Sequence, residues 1–296
     1  MAVYKRTYKT YTGALTPDWS RFTVLSRYTF STLFDSRLFT AYSVACMIPV
    51  LAGIAFIYFI HSTTAQALLG MNASRNPNIL VDGNWFLNFF QIETIMAFIL
   101  AAWAVPGMMS RDFANQALQL YLSRPLSRTE YLLGKISVLA VLLSAITWIP
   151  GLVLFSLQAE LEGHGWGFEN LWLSGSIVIA GLLWIALISL LFMAISVWVK
   201  WRIAATALML AIFFVLPGFG VAANAILRTT WGKLIDLPYL MSVIWVHLFR
   251  GNRQFRHMAQ LDLVPLWADW TVLLGVCLIS LLLLNRRLRA KEVERG

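Results

Sequence analysis

Hydrophobic and polar positions along this chain fall in long blocks, with no short-period alternation. Six stretches, 39–60, 85–109, 136–157, 171–199, 203–224 and 267–284, are almost wholly apolar. Each is long enough to cross about 30 Å of hydrocarbon as a helix. Backbone groups in lipid must be satisfied within the segment, so helices are the economical form, and no run has the alternation of a barrel strand. The pattern predicts an all-α polytopic membrane protein with six transmembrane helices over 39–296. Trp85, Trp166, Trp172, Trp198, Trp201, Trp267 and Trp270 lie near the expected span ends, where aromatic belts form.

Two further segments carry a helical pattern. In the tail 1–38, Thr16 caps, Pro17 takes the first helical position and Asp18 complements the dipole. Trp19, Phe22, Leu25 and Leu33 then share one face, while Ser20, Arg27, Ser31 and Asp35 favour another. This reads as an amphipathic helix on the membrane surface. Within the loop 225–266, residues 234–249 are mostly apolar but too short to span, and they contain Asp236 and Pro238. An interfacial or re-entrant helix is expected there. Arg250, Arg253 and Arg256 follow it and would form a basic stripe if the helix continued past Gly251. That stripe would face headgroups, an anionic cargo or an extracytoplasmic partner; the plainer reading is a solvated helix end.

Composition sharpens the class. Of 296 residues, 59% are apolar and 12% charged, against about 25% charged in soluble domains. An ordinary soluble enzyme, a disordered chain and a disulfide scaffold are excluded. Cys46 and Cys277 both sit in apolar runs, pointing to neither a disulfide nor a metal site. Residues 1–15 lack the apolar core of a cleavable signal, so the mature chain is expected to begin at Met1. The net charge of +9 reports orientation here, with no nucleic-acid partner implied. Segments 1–38, 110–135, 200–202 and 285–296 hold 17 of the 23 Lys and Arg, which places both termini in the cytoplasm.

Catalytic motifs are missing. Gly134-Lys135 is followed by Ile136, without the Ser or Thr of a phosphate loop, and H-E-x-x-H, G-x-S-x-G and C-x-x-C do not occur. No catalytic residue, metal ligand or bound cofactor is assigned. Glu93 is the one charged residue well within a span. Intramembrane charges usually mark ion or proton paths, so Glu93 is the candidate for a translocation path, and its plain alternative is pairing with a neighbour such as Gln91. A proton-driven carrier has little else to work with; a transporter of this composition draws its energy from another polypeptide.

The cytoplasmic loop 110–135 carries the most information. Ala114, Leu118, Tyr121 and Leu122 share one helical face, and Asn115, Gln116 and Gln119 lie away from it. Pro125 ends that element at Arg124, and Ser127 with Glu130 has capping-box spacing that restarts a helix into span three. The run Leu118-Gln119-Leu120-Tyr121-Leu122-Ser123-Arg124-Pro125-Leu126-Ser127-Arg128, followed by Glu130-Tyr131-Leu132-Leu133-Gly134-Lys135, resembles the coupling-helix region of permease subunits of type-2 ATP-binding-cassette exporters. It departs from that family's pattern at Gln116, Ala117 and Gln119, where glycine, threonine and glutamate are common.

The resemblance implies a six-span permease in the plasma (bacterial inner) membrane, paired with a second permease, identical or homologous, and two cytoplasmic ATPase subunits that bind ATP and Mg. It implies an ATPase contact through Arg111, Asp112, Gln119, Ser123, Arg124, Pro125, Leu126, Ser127, Arg128, Glu130 and Tyr131. Its cargo would be exported or extracted from the membrane. The competing class is a non-transporting scaffold that anchors an ATPase complex to envelope machinery.

Overall fold

A computed structural model describes residues 21–68, 80–114, 128–199, 201–251 and 264–293. Helices make up the fold, with no strand among these residues. Six helical segments are long and apolar enough to cross a membrane: Arg37–His61, Gly83–Met109, Thr129–Glu162, Leu171–Trp198, Arg202–Leu227 and Leu266–Arg287. They coincide with the six blocks expected from hydropathy, to within a few residues at most ends.

Three of these spans are built from two helical pieces. Span one breaks at Cys46–Met47, span three at Thr147 and span five at Val215. Pro49, Pro150 and Pro217 follow the breaks by two or three residues. Proline has no N–H to return to the preceding turn and its ring crowds that carbonyl, so the helix restarts around it. Pro106 lies inside the second span without ending its helix, which runs on to Ala114.

The spans divide into an inner and an outer set. Spans two, three and four bury 67%, 56% and 61% of their most apolar windows within the chain, whereas spans one, five and six bury 22% each. Span four is the hub and packs against spans two, three, five and six. Its approach to span three is backbone-close: a Cβ on Gly181 would sit 2.7 Å from Trp148 Cβ, and one on Gly151 would sit 2.9 Å from Ile177 Cγ2. Small residues of this kind let membrane helices gain dispersion contacts where no hydrophobic drive exists between them.

Leu237–Leu248 forms a separate short helix. Asp236 Oδ1 accepts from the Tyr239 N–H at 2.9 Å, and Pro238 occupies the first turn, so the start is well specified. Eight of its twelve residues are buried. It is inserted among spans four, five and six instead of lying along a surface, and the Ser176 hydroxyl of span four donates to its Leu248 carbonyl at 2.8 Å. The helix stops there: Arg250 takes a left-handed backbone at φ 51°. The helix Leu237–Leu248 thus ends before Gly251. Arg250 stacks its guanidinium over Trp172, 4.3 Å from the ring centre; Arg253 and Arg256 lie outside the described residues.

Candidate functional site

The end of span two and the start of span three, together with the helix Arg21–Phe34, form the first site. Leu25 and Thr29 are its buried positions, with Ser26, Phe30 and Leu33 half-buried, a stripe of i, i+4 spacing set against span three. Val24 and Tyr28 are exposed on the opposite side. The seat for the stripe is Gly134-Lys135. The Ser26 and Ser137 hydroxyls both approach the Gly134 carbonyl at 2.9 Å and lie 2.8 Å from each other.

Lys135 is the centre of this joint. Although 4% exposed, its ammonium donates to Thr29 Oγ1 and to the Met108 carbonyl, each at 3.3 Å, and it lies 5.8 Å from the centre of the Tyr131 ring. The Thr29 hydroxyl donates in turn to the Leu25 carbonyl at 2.8 Å. One side chain thus ties the N-terminal helix to the ends of spans two and three. A buried cation is tolerable only with such partners.

Of the residues expected to meet an ATPase, Arg111, Asp112, Arg128, Glu130 and Tyr131 fall in described helices. Arg111 and Asp112 lie in the final turns of the helix Gly83–Ala114. The next helix begins at Arg128, the first helical position that the Ser127–Glu130 spacing anticipates, and Glu130 sits in its first turn. Tyr131 is fully buried, its hydroxyl 3.7 Å from Met109 Sδ, so in this chain its ring braces span three against span two. Gln119, Ser123, Arg124, Pro125, Leu126 and Ser127 lie outside the described residues.

A second region occupies the opposite half of the bundle. Trp245 of the short helix packs edge-on against Trp184 of span four, 5.4 Å between ring centres, and against Phe90 of span two at 5.2 Å. Phe213 of span five joins them through Trp184 at 5.9 Å and Phe98 at 4.4 Å. Beside this aromatic cluster lies a cavity of about 400 Å³ lined by residues of spans two, four and five and the short helix. At the same end, His61 Nε2 of span one lies 2.9 Å from Glu162 Oε2 of span three, joining their termini.

Glu93 does not line that cavity. Its side chain is fully buried, and neither carboxylate oxygen has a hydrogen-bond partner among the described residues, Gln91 included. It lies in electrostatic range of Cys46 on span one. Asp269, in the first turn of span six, is likewise buried without a hydrogen-bond partner among the described residues, with His247 in electrostatic range.

Sequence reasoning passed over Thr29, Trp184 and Trp245. Thr29 was findable from its i+4 spacing to Leu25 and Leu33. The two tryptophans sit mid-run among apolar residues and carry no local signal. Among the described residues no group of three metal-ligating side chains occurs. Compared with known proteins, the sequence matches no family model and no curated protein.

Proposed function

We propose that this chain is the permease half of an ATP-driven exporter of the type-2 ATP-binding-cassette kind, seated in the plasma (bacterial inner) membrane with both termini in the cytoplasm. A separate pair of ATPase subunits holds ATP and Mg, and a second permease, identical or homologous, completes the pathway. The segment 1–38 rests as an amphipathic helix on the cytoplasmic surface, and the loop 110–135 docks on the ATPase.

The observation that carries this reading is the Lys135 joint. A coupling loop is useful only if its displacement reaches the spans, and its downstream end is fixed here to three elements at once. Lys135 holds Thr29 of the N-terminal helix and the Met108 carbonyl of span two, and the helix it belongs to continues into span three. An ATPase that binds the loop differently in its two nucleotide states therefore biases three elements together.

The test is charge reversal at the loop bend. Arg124→Glu with Arg128→Glu should abolish co-purification of the ATPase and reduce ATP turnover to that of the free subunit, since opposed charges at a contact cost several kcal/mol. Membrane insertion should be unchanged. Retention of both binding and stimulated turnover would overturn the coupling role of this loop and favour the scaffold reading.

A further inference from the structure

The aromatic cavity has a chemistry of its own. Its described lining contains Phe98, Phe213, Phe214, Trp184 and Trp245, with Gln91, Thr94 and Ser242 as polar members and no charged side chain among them. The Thr94 and Ser242 hydroxyl hydrogens are already spent on the Gln91 carbonyl at 2.9 Å and the Tyr239 carbonyl at 2.7 Å. The indole N–H groups of Trp184 and Trp245 are different. Both are buried, and neither has a hydrogen-bond partner among the described residues. The two rings wall the cavity with their carbon faces, which leaves the Gln91 amide as its one side-chain N–H donor not already committed among the described lining.

The opening has a direction. Ile95 of span two and Phe214 of span five, at the rim, are 57% and 66% exposed, while Thr94, Trp184 and Trp245 are no more than 5% exposed. The mouth therefore opens sideways between two apolar spans, and the buried tryptophans lie on its inner side.

We propose that this cavity binds an uncharged amphipath, a molecule with a long apolar body and a head that accepts hydrogen bonds, such as a long-chain ester, entering laterally between spans two and five. The aromatic walls take the body, and the head accepts from the Gln91 side-chain amide at the lining. An anion or cation is rejected because the described lining offers it no counter-charge, and an unpaired charge is costly in such surroundings. Assignment of this ligand as the exported cargo rests on the permease reading. Its binding does not, and is measured on the purified chain without an ATPase, so failure of the cavity and failure of the coupling are separable.

The probe is the methyl ester of dibromostearic acid, whose bromines quench nearby indoles, titrated into the chain in nanodiscs. Thirteen tryptophans emit, so the signal is a difference. The ester should quench a saturable component that Trp184→Phe with Trp245→Phe removes. The ionised dibromostearate, in alkaline buffer, should need roughly a hundredfold higher concentration, the discount for an unpaired charge at an apolar depth. Ser242→Phe fills the cavity while leaving both indoles, and it should abolish saturation with unchanged starting emission. Quenching that is linear and indifferent to Ser242→Phe would mean bulk partitioning and overturn the site. Equal affinity for ester and anion would overturn the ligand class.

Discussion

The two ends of this bundle handle buried polarity in opposite ways. At the Lys135 end, polar groups are matched in two adjacent sets of hydrogen bonds: the Ser26 and Ser137 hydroxyls on the Gly134 carbonyl, and the Lys135 ammonium on Thr29 and the Met108 carbonyl. Toward the other end, aromatic rings fill the interior, and Glu93, Asp269, Trp184 and Trp245 keep polar atoms with no hydrogen-bond partner among the described residues. A satisfied network specifies one arrangement, because every alternative leaves a buried group unmatched. Unmatched groups do the reverse: they raise the energy of the present arrangement relative to one in which a ligand or a shifted helix supplies the partner. The first region favours a single arrangement that moves as a unit, and the second leaves room for another.

The largest effect should come from cutting the Lys135 contacts. Lys135→Met keeps the apolar stem and removes the donor to Thr29 Oγ1 and the Met108 carbonyl. Hydrogen bonds from a charged group contribute about 1.5–3 kcal/mol each, so a loss of roughly 3 kcal/mol is expected. A disulfide between cysteines placed at Ser26 and Ser137, whose hydroxyls are 2.8 Å apart, reports the joint directly. In the Lys135→Met background its yield should fall sharply; an undiminished yield would show that apolar packing alone seats the helix.

A steric break at the other end should be smaller. Gly83 opens span two, and a Cβ there would fall far inside contact distance of the Phe249 carbonyl, just past the short helix. Backbone cannot swing aside as a side chain does, so Gly83→Ala must displace that helix end, at about 1–3 kcal/mol for overpacking. Faster amide exchange over Leu237–Leu248, with the Ser26–Ser137 disulfide unaffected, is the expected signature. Coupled loss of both would mean that the two regions are one cooperative unit.

What could be read from sequence follows the same division. Span positions were legible because crossing hydrocarbon demands a long apolar run whatever surrounds it. The breaks at Met47, Thr147 and Val215 were marked by Pro49, Pro150 and Pro217 and were passed over only because hydropathy averages across a proline. Which of the two expected placements Leu237–Leu248 takes was not legible: its apolar residues satisfy a lipid boundary and a protein interior equally well, and burial by spans four, five and six is a tertiary fact. Gly134-Lys135 stood out as a landmark, but a lysine at a span end ordinarily snorkels to water. The Met108 carbonyl and Thr29, which arrives from a distant helix, help to make its burial tolerable.

Glu93 sharpens the contrast from the unsatisfied side. Its carboxylate is held by no hydrogen bond among the described residues, so Glu93→Gln removes no observed contact and relieves the burial of an ionisable group. Unchanged or raised thermal stability is expected, by up to about 1 kcal/mol on the scale of single-site changes. Lys135→Gln, the same neutralisation in the satisfied network, should destabilise. A clear loss on Glu93→Gln would reveal a partner for the charge, and transport retained by that variant would remove Glu93 from the translocation path.

The smallest effect is expected where the two regimes meet, at Asp236. Its carboxylate caps the short helix through the Tyr239 N–H, but burial pushes its pKa above the ordinary carboxylate range, with that N–H and Lys233 pulling it only partly back. A raised folded-state pKa means that the folded chain holds this proton more tightly than the unfolded chain. The resulting stability is fully present below the unfolded pKa and is lost as pH rises through the folded one. At neutral pH the site therefore combines a useful cap with a costly charge. Asp236→Asn retains the capping oxygen and discards the charge, so its melting temperature should equal or slightly exceed the parent's at neutral pH and fall below it in acid. Asp236→Ala loses the cap and should cost about 1 kcal/mol at either pH. If Asn and Ala proved equally destabilising at neutral pH, the charge itself would be holding the helix start, through Lys233, and the cap would be incidental.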